Sequence, residues 1–230
     1  MTMTISFVRI LGLAALCTAW MPWQSAAAAE LGVYAGVSYA QVTNHVDQGD
    51  FDALGFDILL GEGFVPDTAT TSFDNKGPGY GFVVGYRLYP WLAVEGGYLD
   101  LGKVAYRIIS DGAQLGTPAS SNLSLNAKTS GIAVSALGIL PLSYRWEVYG
   151  RVGAMFATNR LNLFITDSLG QAAAEVSGSK TNLLAGAGVS MSIAEVYSIR
   201  AEYQRVFAVQ SEQVGDGDVD VISVGVTVQF

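Results

Sequence analysis

Six charged residues stand singly in stretches otherwise dominated by glycine and apolar side chains: Arg87, Glu95, Glu147, Arg151, Arg200 and Glu202. Each falls on one face of a segment whose residues alternate with a period of two. Isolated guanidinium and carboxylate groups placed this way are suited to pairing with one another. Turnover asks for more: a base, an orienting group and a nucleophile within hydrogen-bond reach. The only histidine, His45, lies near Asp47 in an acidic stretch, and no spacing singles out a nucleophile from Ser38, Ser121 or the other serines. The reading is a solvated loop histidine. The sole cysteine, Cys17, lies in a leader-like segment, so the remaining chain has no disulfide, thiolate nucleophile or cysteine metal site.

Acidic residues cluster twice. Asp47, Asp50, Asp52, Asp57, Glu62, Asp67 and Asp74 precede Lys76, and Asp216, Asp218 and Asp220 follow later. Hard oxygen ligands suit Ca²⁺, but Val221 and Thr227 stand where a Ca²⁺ loop needs Gly and Glu. No metal and no cofactor is expected. The segment GAGVSM at Gly186 lacks the third glycine of a dinucleotide site and leads to no helix. A net charge of −8 excludes nucleic acid, whose phosphates require clustered Lys and Arg.

The segments that must position these groups are strands. Before Pro90, Phe82, Val84, Tyr86 and Leu88 alternate with Gly81, Val83, Gly85 and Arg87. After Trp91, Leu92, Val94 and Tyr98 oppose Ala93, Glu95 and Gly97. This is a β-hairpin with a large, aromatic face and a face of glycines and lone charges, the pattern of a wall with lipid outside and a narrow polar lumen inside. A three-residue turn, Pro90–Trp91–Leu92, would set Arg87 directly across from Glu95.

Charged residues are only 14% of the chain, hydrophobic residues 50%, and glycines number 27. Residues 1–29 read as a secretory signal, with Arg9, an apolar stretch and the Ala26–Ala29 cleavage region. No later run of about 18 apolar residues offers a spanning helix. A closed barrel is the remaining way to satisfy every backbone group in lipid. Eight alternating segments are expected near 31–41, 81–89, 92–102, 125–140, 146–157, 182–193, 196–205 and 219–230. The fold class is therefore all-β: an eight-stranded antiparallel up-and-down transmembrane barrel over residues 30–230. It has three short periplasmic turns and four long external loops, near 42–77, 103–124, 158–181 and 206–218. Trp91, Tyr144, Trp146 and Tyr197 gather at the short-turn end as an aromatic girdle, with Tyr39, Tyr80, Tyr106 and Phe156 forming the other.

The segments YRLYPWLAVEGGYLDLG, SGIAVSALGILPLS, WEVYGRVGA, IRAEYQ and VGVTVQF, in this order and spacing, together resemble the transmembrane domain of the OmpA family. The peptidoglycan-binding domain of OmpA itself lies outside the resemblance and is not expected here. The resemblance implies a cell-outer-membrane location, contact with outer-membrane lipid and lipopolysaccharide, and an ionic network in the lumen. Glu95, Arg151 and Arg200 match charged positions of that network, while Leu137 and Ser190 replace a lysine and a glutamate. The six charges then form a packed polar core rather than a gate. Phe230, with Val228, Val226, Val224 and Ile222 at alternate positions before it, looks like the signal read by the outer-membrane assembly machinery. The functional expectation is a structural and surface-interaction barrel that displays acidic external loops. A narrow, low-conductance porin, a lipid A acyl-chain enzyme and a soluble lipocalin-like barrel are the alternatives.

Overall fold

The computed structural model describes residues 31–168, 170–211 and 215–230. The expected signal segment lies outside the described residues. In chain order the elements are β1 (Gly32–His45), α1 (Gln48–Gly61), β2 (Phe64–Asp74), β3 (Lys76–Tyr89), β4 (Leu92–Gln114), β5 (Thr117–Pro141), β6 (Trp146–Asp167), β7 (Gly170–Ser192), β8 (Tyr197–Ser211) and β9 (Gly215–Gln229).

Eight of the nine strands close a ring. Neighbours run β1–β3–β4–β5–β6–β7–β8–β9, and β9 returns to β1, all antiparallel. β2 is the outward continuation of β3. It pairs with the upper half of β4, Asp74 facing Ala105, whereas β3 pairs with the lower half. The joint at Asn75 is tied to β1: Asn75 Nδ2 donates to the Asn44 carbonyl at 2.9 Å, and the Asn44 amide N–H donates back at 2.9 Å.

The expected long loops are mostly strand. β4 to β7 run 22–25 residues, against about 9–11 needed to cross a bilayer. On β4 and β5 alternation continues beyond the membrane with mostly polar residues outward, while β7 is exposed on both faces from Gly170 to Thr181, and pairing persists where lipid stops. Only Leu115 and Gly116, both at positive φ, separate β4 from β5. The first connection carries the one helix of the described residues, α1. Asp47 caps it by accepting from the Gly49 N–H at 2.8 Å. Phe51, Gly55 and Leu59, spaced at i, i+4 and i+8, are its buried residues. They meet Val104, Tyr106 and Ile108 of β4 and Leu123 and Leu125 of β5, the inner wall of the extension.

The lipid-facing residues form a continuous outer band. Val37, Phe82, Val84, Val94, Tyr98, Ile132, Val134, Val152, Phe156, Ile222, Val224 and Val226 are all exposed. At ~3.3 Å per residue and a tilt of ~40°, the span from Trp146 to Phe156 on β6 rises about 25 Å, the height of a barrel's apolar band. Trp91, Tyr144, Trp146 and Tyr197 are exposed at the short-turn end, with the Tyr89 and Trp91 rings stacked at 5.4 Å. Tyr39, Tyr80 and Phe156 are exposed on the same outer surface toward the long-connection end.

Tyr106 does not join them. The pairing shifts between Asp100 and Lys103, where Gly102 takes a φ of +71°. One extra residue there reverses inside and outside for the rest of β4. Tyr106 is buried under α1 and donates its hydroxyl to Asp52.

Candidate functional site in the barrel interior

The ionic groups are held by a motif that occurs twice around the ring. On β1, β3 and β4, Tyr34 faces Gly85 and Gly85 faces Glu95. On β6, β7 and β8, Tyr149 faces Gly188 and Gly188 faces Glu202. In both, the tyrosine ring lies across the glycine to reach the carboxylate two strands away. A Cβ on Gly85 would meet the Tyr34 ring at 2.2 Å, and one on Gly188 the Tyr149 ring at 2.4 Å. The absent side chain is what lets each ring lie flat. Tyr34 Oη donates to Glu95 Oε1 at 2.7 Å, and Tyr149 Oη donates to Glu202 Oε2 at 2.7 Å.

Two arginines bridge the motifs. Arg200 Nη1 donates to Glu95 Oε1 at 2.7 Å, its Nε donates to Tyr149 Oη at 3.2 Å, and its guanidinium lies 4.5 Å from the Tyr149 ring centroid. Arg151 Nη2 donates to Glu95 Oε2, and its Nε lies 3.2 Å from Glu202 Oε1. The Glu95 side chain is 1% exposed and accepts from three groups on three strands.

Arg87 sits apart from this cluster, which corrects the expected Arg87–Glu95 pair. The hairpin turn holds two residues, Pro90 and Trp91, because Tyr89 faces Leu92. The register shifts between Arg87 and Tyr89, so Gly85, not Arg87, faces Glu95. Arg87 instead forms a two-pronged pair with Glu147, at 2.8 and 3.1 Å, and donates to the Pro90 carbonyl at 2.7 Å. Leu137, at the departed family position, is 1% exposed and packs with Ala93 and Tyr149.

The guanidinium–carboxylate network lies in this periplasmic half, and the bore beyond it departs from the expected polar lumen, with only uncharged polar groups such as Asn182 and Gln204 among its buried wall residues. Toward the outside, the bore is filled by an apolar layer. It comprises Ala40, Val42, Leu101, Ala133, Met155, Ala157, Leu184, Val206, Val219 and Val221, none more than 7% exposed. Seven of the ring's strands contribute; β3 has Gly79 there, whose Cβ would fall 2.7 Å from Val42 Cγ2. The apolar cluster under α1 lies beyond it.

His45 lies at the end of β1 and pairs with Asp220 rather than Asp47, Nε2 to Oδ2 at 2.8 Å. Arg205 holds the same carboxylate at 2.6 and 2.8 Å, and Tyr203 donates to it at 2.8 Å. Two residues of the second acidic cluster, Asp218 and Asp220, thus belong to an outer-wall ion-pair group, since Arg205 also lies 3.9 Å from Asp218. The glycine platforms, this Arg205 group and α1 were missed from the sequence. Gly85 and Gly188, each opposite an inward tyrosine, carried the signal for the first.

Residues 11–230 match the family model described as the outer membrane protein beta-barrel domain. The chain belongs to this family. It is thus an outer-membrane β-barrel protein, placed in the cell outer membrane. Among curated proteins none matches it significantly. Solved structures of this outer-membrane type are similar in fold. Neisserial surface protein A is 17% identical at a TM-score of 0.49, covering 86% of this chain and 97% of that one. Ail, the attachment invasion locus protein of Yersinia pestis, is 16% identical at a TM-score of 0.43, covering 87% and 100%. The N-terminal barrel domain of Pseudomonas aeruginosa OprF is 12% identical at a TM-score of 0.39, covering 87% and 100%.

Proposed function

We propose that the protein is a closed outer-membrane barrel with a structural and surface-interaction role, holding its strand extensions and α1 outside the cell rather than passing solutes. The observation that carries this reading is the apolar layer across the bore, in which Val42, Met155 and Val206 are fully buried. An ion crossing such a layer would give up hydration that only the uncharged amides of Asn182, beside Met155, and Gln204, beside Val221, are there to replace, at a cost of several kcal/mol. The six interior charges then serve as struts between strands. Liposome swelling tests the closed bore: barrels reconstituted at high density leave the liposomes impermeable to small sugars, and rapid swelling would favour the porin.

Several features outside the bore fit the same reading. Residues 1–29 act as the export signal. Ile222, Val224, Val226, Val228 and Phe230 on the last strand act as the signal for the assembly machinery. Outer-leaflet lipopolysaccharide is the surrounding partner of the outer wall. His45 acts as an ion-pair partner of Asp220, not as a base for lipid A chemistry. His45→Ala therefore leaves lipid A acylation unchanged by mass spectrometry, and a His45-dependent acyl change would put the enzyme reading first.

A further inference from the structure

Of the chain's 12 lysines and arginines, three among the described residues, Arg87, Arg151 and Arg200, point into the bore. Lys76, Lys103, Lys128 and Arg160 form a different group, a row across four neighbouring strands of the outer wall. Lys103 faces Lys128 across β4 and β5, and Lys128 faces Arg160 across β5 and β6. Lys76 on β3 precedes Gly77, whose Cβ would lie 3.5 Å from the Lys103 carbonyl, so it adjoins the row's other end. All four are exposed. Arg107, on the same outward face of β4, stands next above Lys103 and Ala105.

Two features of this row point to a ligand. First, like charges directly opposite one another destabilise a sheet, and here the unfavourable pairing occurs twice in succession. Among the described residues, only Lys128 of the four has a carboxylate partner, Asp100 at 2.9 Å. The second is depth. Each cation lies about 10 Å above the last residue of the membrane-facing apolar band below it on its own strand (Tyr80, Tyr98, Ile132 or Phe156), at ~3.3 Å per residue and ~40° tilt, with Ile109 and Phe164 exposed singly farther out. Lysine and arginine stems reach several ångströms back toward the apolar band. Their charged ends thus fall at the headgroup level of the outer leaflet.

We propose that Lys76, Lys103, Lys128 and Arg160 form a binding surface for the phosphate groups of a phosphorylated outer-leaflet glycolipid. This rests on the reading above that lipopolysaccharide surrounds the outer wall, and adds which strands engage it and through which chemistry. The row crosses the outer wall at a slant, each strand changing its height by about 3 Å at this tilt, which fits a lipid whose acyl chains lie on the apolar wall directly below. A soluble polyanion would instead approach a protein of net charge −8. The surface is one-sided: on β8 and β9 the corresponding outer positions are an internally neutralised group, Arg205 with Asp218 and Asp220.

The test uses the whole folded barrel in detergent and three probes: bisphosphorylated lipid A, dephosphorylated lipid A and inorganic phosphate. Binding is read by native mass spectrometry and by titration at several salt concentrations. The wild type binds bisphosphorylated lipid A at least about tenfold more tightly than the dephosphorylated form, with affinity falling as salt rises. The fourfold variant Lys76→Gln, Lys103→Gln, Lys128→Gln, Arg160→Gln loses that preference. Arg145→Gln, at a periplasmic turn, retains it. Heat-modifiable gel mobility shows that each variant is folded; if the fourfold variant is not, Lys103→Gln and Arg160→Gln read the effect singly. Equal binding of the two lipid A forms, or an unchanged preference in the folded variants, would overturn the proposal. Full displacement of lipid A by millimolar inorganic phosphate would assign the row to free phosphate instead. None of these results depends on whether the bore is closed, so the two readings fail separately.

Discussion

Glu95 is the residue on which the interior depends most. It is nearly inaccessible and receives hydrogen bonds from Tyr34, Arg151 and Arg200. Removing one partner of a buried ionic cluster leaves uncompensated charge, typically costing about 3–5 kcal/mol. Glu95→Gln is expected at the lower end, because Glu202 stays beside both arginines, 3.2 Å from Arg151 and 3.8 Å from Arg200. Urea unfolding of the reconstituted barrel measures it. Glu147→Gln should cost less, since the Glu147 side chain is 20% exposed and water can solvate Arg87 from the periplasmic mouth. The inward direction of all six charges was legible, because a period of two leaves each only one face. Their partners were not. Partnership depends on the turn length after Tyr89 and on which positions are glycine on the intervening strand, and Pro90–Trp91 admits either turn length.

The elements show where alternation stops being a guide. From Tyr98 to Asp100 the pattern predicts facing correctly; beyond the bulge at Gly102 it predicts the wrong face, and Tyr106 moved from the outer girdle to the inner core. Gly102 is needed there because its φ is positive and a Cβ would approach the Pro78 carbonyl oxygen at 2.8 Å. Gly102→Ala is expected to cost about 2 kcal/mol from left-handed backbone strain and crowding, read as a lowered urea midpoint. α1 was hidden for a related reason. Its acidic residues made the first connection resemble a solvated loop, while its buried stripe is only Phe51, Gly55 and Leu59. Phe51→Ala should remove about 3–5 kcal/mol of packing and expose residues 46–63 to proteolysis. The membrane-spanning part should stay intact, since its apolar layer shares no buried residue with the cluster under α1.

At the scale of the whole molecule, the barrel has two surfaces with opposite rules. Its outer wall is apolar through the bilayer and polar above it, so the cost of a new charge should depend on depth. Val84→Arg is expected to destabilise folding in lipid by about 2–4 kcal/mol if near the midplane, and Ser130→Arg, level with Asp100, by about 0–1 kcal/mol. Equal costs would contradict the placement of the band. The interior runs the other way along the axis, with ionic struts near the periplasm and an apolar layer toward the outside. The ionic half was legible because isolated charges in apolar strands have few places to go. The apolar layer was not, because Val42, Leu101, Met155 and Val206 look the same in sequence whether they face lipid or the bore. That layer makes conduction the most direct test of a closed barrel. In planar bilayers, the wild-type barrel at neutral pH and high salt is expected to give no steady current steps. Phe51→Ala should give none either, because the layer below α1 remains. Steady, porin-sized steps from the folded wild type would contradict the closed bore.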